Sequence, residues 1–222
     1  MCFSAEADFV SGAVIGAVGV ATLTNVEKPR ELALGALPLA FALHQVVEGF
    51  VWLGLEGKGA RSTSEIAAYV YVVFAWVVLP VVVPLCMLLV EPSERRRRAM
   101  APFVALGGAV GVYLLWSVMH NGVTAHVAHH TIQYGGAGDY AVLATILYVV
   151  ATCTPPLLSS HPAIVVFGAA DLLAVGAIAW AQADGLTSVW CLWAAVVSVL
   201  IYAQFVAWRR SELPKRLSGV GS

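Results

Sequence analysis

Residues 65–90 read EIAAYVYVVFAWVVLPVVVPLCMLLV, and after Glu65 the run contains no Asp, Glu, Lys or Arg. A helix rises about 1.5 Å per residue, so roughly 20 such residues cross the ~30 Å hydrocarbon core of a bilayer. The run is immediately followed by EPSERRRR (residues 91–98), a block of charge at its end. An apolar stretch of membrane length that stops at a cationic cluster is the pattern of a spanning helix with a headgroup anchor.

Working outward, six more stretches have the same character. The predicted spans are 7–25, 32–55, 65–90, 100–120, 140–160, 163–183 and 187–208. The composition agrees: 60% of residues are hydrophobic and 11% charged, against about 45–50% and about 25% in soluble domains. Only helices and closed barrels satisfy their backbone groups in lipid, and long unbroken apolar runs exclude the alternating strands of a barrel. The expected fold is all-α, a single seven-transmembrane helix bundle over residues 1–222. Glu6 and Asp8 precede the first apolar run and no basic segment does, so that run reads as a retained helix and not a cleaved leader.

Loop charges orient the bundle. Of the twelve Lys and Arg residues, Lys28, Arg30, Arg95, Arg96, Arg97, Arg98, Arg209, Arg210, Lys215 and Arg216 fall on one side. Lys58 and Arg61 fall on the other. Ten against two predicts the N-terminus outside and the C-terminus inside, in the cell (plasma or inner) membrane. The expected partners are membrane lipid and a small molecule or ion. A formal net charge of −1 provides no basic field for nucleic acid.

Close helix packing is expected at Gly12/Gly16 and at Gly107/Gly111, both small-xxx-small faces. Pro80 and Pro84 are expected to kink the third span.

Ionisable groups inside spans mark pathways or sites. His44 and Glu48 stand four residues apart, on one helix face. They read either as a self-satisfying structural pair or as part of a proton relay or metal site. Asp171 is the other buried acid, and reads first as structural. The connection HNGVTAHVAHHTIQYGGAGD (residues 120–139) holds four of the six histidines. On a helical turn His126 and His130 would present two imidazoles to one ion, with His129 as a third ligand. These three are the candidate metal ligands, for zinc or copper. The candidate polar cavity is His44, Glu48, His130 and Cys2. Cys2 has two further readings, a disulfide with Cys191 and an N-terminal nucleophile.

The opening MCFSA (residues 1–5), HQVVEGFVW (44–52), ATC with SS (151–153, 159–160) and SVWC (188–191) together resemble an uncharacterised family of bacterial multi-pass membrane proteins. The resemblance covers nearly the whole chain and implies fold and location, with no activity attached. Seven-span retinal proteins bind their cofactor through a lysine of the last helix. Lys28, Lys58 and Lys215 all lie outside the spans, so no retinal Schiff base is expected. Membrane zinc hydrolases of the ceramidase kind use a histidine pair on the final helix, and the final span here has none. The functional classes left open are a protein that binds, senses or transports a small solute, ion or proton, a metal-dependent membrane enzyme, and an accessory or structural subunit.

Overall fold

The computed structural model describes residues 4–128, 131–138, 140–181 and 185–218, the last seven of these by their backbone alone. The described chain is helical apart from one hairpin. The helices are α1 (Ala5–Leu23), α2 (Leu32–Leu55), α3 (Arg61–Val72), α4 (Leu79–Val90), α5 (Glu94–Asn121), α6 (Ala141–Leu157), α7 (Pro162–Ala181), α8 (Leu186–Val197) and α9 (Val199–Ser218). A π-helical segment, Val73–Val78, joins α3 to α4.

Six of the resulting stretches are long and apolar enough to cross a membrane: Ala5–Leu23, Pro29–Leu55, Arg61–Val90, Glu94–Asn121, Pro162–Ala181 and Leu186–Ser211. The seventh predicted span, 140–160, forms the apolar but shorter α6, of 17 residues. It stops early because Pro162 restricts His161 to extended backbone, and the intervening Ser159 and Ser160 bond elsewhere. Large apolar side chains such as Val14, Leu43, Val112 and Leu173 lie exposed on the outside of the bundle, a surface suited to lipid.

Local signals explain most boundaries. α1 starts where the Ser4 hydroxyl accepts the Ala7 N–H at 3.3 Å, an N-cap that satisfies one orphan donor. α5 begins earlier than predicted because Glu94 pairs with Arg98 at 3.1 Å one turn on, so the basic block joins the helix. α5 ends at Gly122, whose φ of 73° favours glycine.

The third span shows what its prolines do. Leu79 N–H donates five residues back, to Phe74 O. Pro80 has no N–H, so the Ala75 carbonyl has no backbone donor in this register. The Tyr148 hydroxyl of α6 supplies it, at 2.7 Å. Pro84 in turn removes the donor that Pro80 O would meet in an α-helix. That carbonyl instead faces α5 at Gly107, where a Cβ would sit 1.7 Å from it. The predicted kink is therefore a π-helical stretch stitched to two neighbours. The Gly12–Gly16 face of α1 lies on α2 at Ala42.

The two ends of the bundle differ. At the basic end Arg209 of α9 binds Glu31, and Arg96 donates to Leu158 O at 2.7 Å and Ser159 O at 2.8 Å. There also Glu91, 2% exposed, accepts from Ser160 N–H at 2.8 Å, the Ser160 hydroxyl at 2.5 Å and Ser93 N–H at 3.0 Å. At the other end, residues expected to form a helical turn make an antiparallel hairpin of β1 (Thr124–Ala128) and β2 (Thr131–Gly135). The period-two pattern of TIQYG accounts for this: Ile132 and Tyr134 are buried, and Gln133 between them turns outward to His126. His126 is therefore part of a strand and not of the expected helical turn.

Candidate functional site

Helix α2 turns its polar residues inward. His44 is 3% exposed, Gln45 0% and Glu48 1%, all on the face that meets α1, α3 and α8. A buried polar group must find partners or cost free energy, so the neighbours matter. From α1, Asp8 (2% exposed) accepts a hydrogen bond from Gln45 Nε2 at 3.3 Å. From β2, the Tyr134 hydroxyl donates to Glu48 Oε1 at 3.3 Å. Ser188 and Tyr71 also face Glu48, and Cys191 lies beside Tyr71. The hairpin thus plugs its Tyr134 side chain into the end of the bundle. Burial, with the nearby charges of Glu48 and Asp8, holds the Tyr134 phenol well above its usual pKa, so it remains a protonated donor to Glu48.

Three rings organise the site. His44 stacks on Tyr71 with centroids 3.8 Å apart, and Tyr71 stacks on Tyr134 at 4.6 Å. The imidazole is held by ring contacts, and its Nε2 has no hydrogen-bond partner among the described residues. Gln45 Oε1 is likewise unpartnered, while the Trp52 indole N–H faces the Asp8 carboxyl and the Tyr71 hydroxyl faces Glu48 and Cys191. His44 Nε2 and Gln45 Oε1 are thus two buried polar atoms left without a partner beside the buried acids Asp8 and Glu48. Two acids are present, and among the described residues no Lys or Arg acts on them. Such a cluster favours a positive charge, or a proton shared between the carboxyls.

The expected pair of His44 and Glu48 is therefore buried on one face of α2, but His44 Nε2 is not satisfied within it. His126 lies away from this cluster, exposed on β1, with its Nε2 2.8 Å from Gln133 Oε1. Cys2, His129 and His130 lie outside the described residues. Cys191, the expected partner of Cys2, is buried in α8 as a free thiol. Among the described residues no three His, Cys, Asp or Glu side chains stand together as a metal site. A zinc or copper centre on His126, His129 and His130 stays a proposal, which metal analysis of the purified protein tests. Gln45, Tyr71, Tyr134 and Ser188 are the site residues that a reading of spans and histidines passes over. Asp8 carried the one usable signal, an acid at the head of an apolar helix. Glu6 beside it points outward and pairs with Lys58 at 3.8 Å.

A family model matches residues 1–216, and the chain belongs to that family, described as a family of unknown function (DUF6629). No curated protein and no solved structure matches the chain.

Proposed function

We propose that this member of the family is a seven-span protein of the cell membrane, N-terminus outside and C-terminus inside, that takes up and passes a proton at the Asp8–Gln45–Glu48–Tyr134 cluster. The seventh span is α6, whose 17 residues sit at the lower end of the spanning range. The ten-to-two distribution of Lys and Arg supports the orientation, in which the hairpin and the cluster beneath it lie at the outer side.

The observation that carries the reading is the pair of buried acids, Asp8 and Glu48, set beside the unpartnered His44 Nε2 and Gln45 Oε1. A proton needs titratable groups close together, and the cluster holds two hydrogen-bonded pairs, Gln45 with Asp8 and Tyr134 with Glu48, joined through neighbouring turns of α2. Ionisable groups kept inside a spanning bundle serve such relays. Moving an anion through the same place would meet two acids and no recorded cation.

The test is proton flux into liposomes loaded with a pH-sensitive dye and driven by a potassium diffusion potential. The wild-type chain should acidify or alkalinise the lumen faster than empty liposomes, and Glu48→Gln should lose most of that flux while Glu6→Gln retains it. Flux equal to that of empty liposomes, or equal in wild type and Glu48→Gln, overturns the reading and favours an accessory or structural subunit.

A further inference from the structure

A further buried acid lies apart from this cluster. Asp171 on α7 is 7% exposed; the Trp190 indole N–H of α8 is turned toward its carboxyl, and neither Asp171 Oδ1 nor Trp190 Nε1 has a partner at full hydrogen-bond distance among the described residues. Both line a small chamber bounded by α2, α4, α6, α7 and α8, walled by Phe41, Val83 and Phe167. A second cavity, reaching Ala137 and Thr187 at the hairpin end, shares Tyr148, Trp190 and Cys191 with the chamber. Tyr148 and Trp190 meet edge to face, with centroids 5.4 Å apart at 71°, and form part of the wall common to both. The two cavities thus adjoin across an aromatic pair, with the carboxyl in the inner one.

We infer that the chamber binds a small alkylated ammonium ion, of the size of methylammonium. The charge follows from Asp171: a buried carboxylate without a counter-charge is costly, and neither cavity is lined by Lys, Arg or His. The class of cation follows from the walls. Sodium or calcium would need several oxygen ligands in place of water. The chamber's other hydroxyls are committed, Thr152 to Tyr148 O at 2.9 Å and Tyr148 to Ala75 O. What remains is carbon, the thiols of Cys153 and Cys191 and aromatic rings, which suit an ammonium carrying a methyl group and hold it through cation–π attraction. Its N–H groups complement Asp171 Oδ1. Asp171 and Trp190 take no part in the proton relay, although α2, α8 and the Cys191 thiol border both sites.

The test is equilibrium binding of radiolabelled methylammonium to the full chain purified in detergent. Saturable binding is expected, displaced by ammonium and not by an equal concentration of sodium, and abolished in Asp171→Asn. Trp190→Phe preserves a ring while shrinking the aromatic face, and should weaken binding about three- to tenfold; it keeps the inference testable where Asp171→Asn does not fold. Binding that sodium displaces equally, that Asp171→Asn and Trp190→Phe leave unchanged, or that Glu48→Gln alone removes, overturns it. So does the absence of saturable binding to a folded, monodisperse preparation.

Discussion

Tyr148→Phe should destabilise the bundle by about 1.5 kcal/mol, a value worked from one hydrogen bond. The lost hydroxyl sits 2.7 Å from the Ala75 carbonyl, on a residue 1% exposed. Leaving a buried acceptor unpaired costs roughly 1–3 kcal/mol. Interhelical hydrogen bonds in membrane proteins average about 0.6 and reach about 1.7 kcal/mol, because the freed group often finds another partner. Here the backbone partner is denied: Leu79 N–H is spent on Phe74 O and Pro80 has none, so the upper part of that range applies. The ring remains, edge-on to Trp190, so packing contributes little to the loss. The assay is reversible unfolding in mixed micelles, followed by circular dichroism against the mole fraction of SDS. A double-mutant cycle isolates the cause. In a Pro80→Ala background an N–H becomes available to Ala75 O, directly in the π register or through Leu79 in the α register. Tyr148→Phe should then cost less than about 0.5 kcal/mol, within the range of a neutral substitution. Equal costs in the two backgrounds would refute the account of why this helix bulges.

The close approach of α4 and α5 at Gly107 predicts that Gly107→Val loses at least about 1–3 kcal/mol, because the added Cβ meets the Pro80 carbonyl. Gly108→Val, with nothing within 4 Å of its Cβ, should change stability by less than about 0.5 kcal/mol; melting of the two variants side by side checks both. At Glu91, burial pushes the carboxyl up, but donors from Ser160 and Ser93 and the charge of His161 outweigh it and leave its pKa lowered. The folded state therefore binds fewer protons than the unfolded one. The contribution is complete above the unfolded carboxyl pKa of about 4.3 and is lost as pH falls through the depressed folded value. Glu91→Gln should weaken the protein near neutrality and flatten that acid limb in an unfolding series at stepped pH; an unchanged acid limb would exclude Glu91 as its source. A reporter fused after Arg216 should read cytoplasmic and one inserted at Gly136 external; the opposite pattern reverses the orientation and puts the proton site on the inner face.

By itself the sequence determined the class of fold. Spans are set by local quantities, run length and the placement of Lys and Arg, and one covalent stretch such as 65–90 carries all the information needed. The glycines at 12, 16, 107 and 111 were legible for the same reason: the absence of a side chain is local, and only the neighbour it admits is not. His44 and Glu48 were legible as a pair because four residues make one helical turn. The tertiary structure decided the rest. Asp8 and Gln45 are 37 residues apart in the chain and Glu48 and Tyr134 are 86 apart, and nothing local in either segment encodes the meeting. Pro80 announced a lost donor, but only packing against α6 determined that Tyr148 replaces it and that the helix takes a π turn instead of a simple kink. The histidine-rich connection shows the opposite failure. Its four-residue histidine spacing suggested a helical face, while the alternation in TIQYG, confirmed by what Ile132 and Tyr134 bury against the bundle, made it a strand. Hydrophobic contact with the other helices outweighs a spacing that only polar residues share, because burial of apolar surface contributes more free energy than the placement of exposed imidazoles.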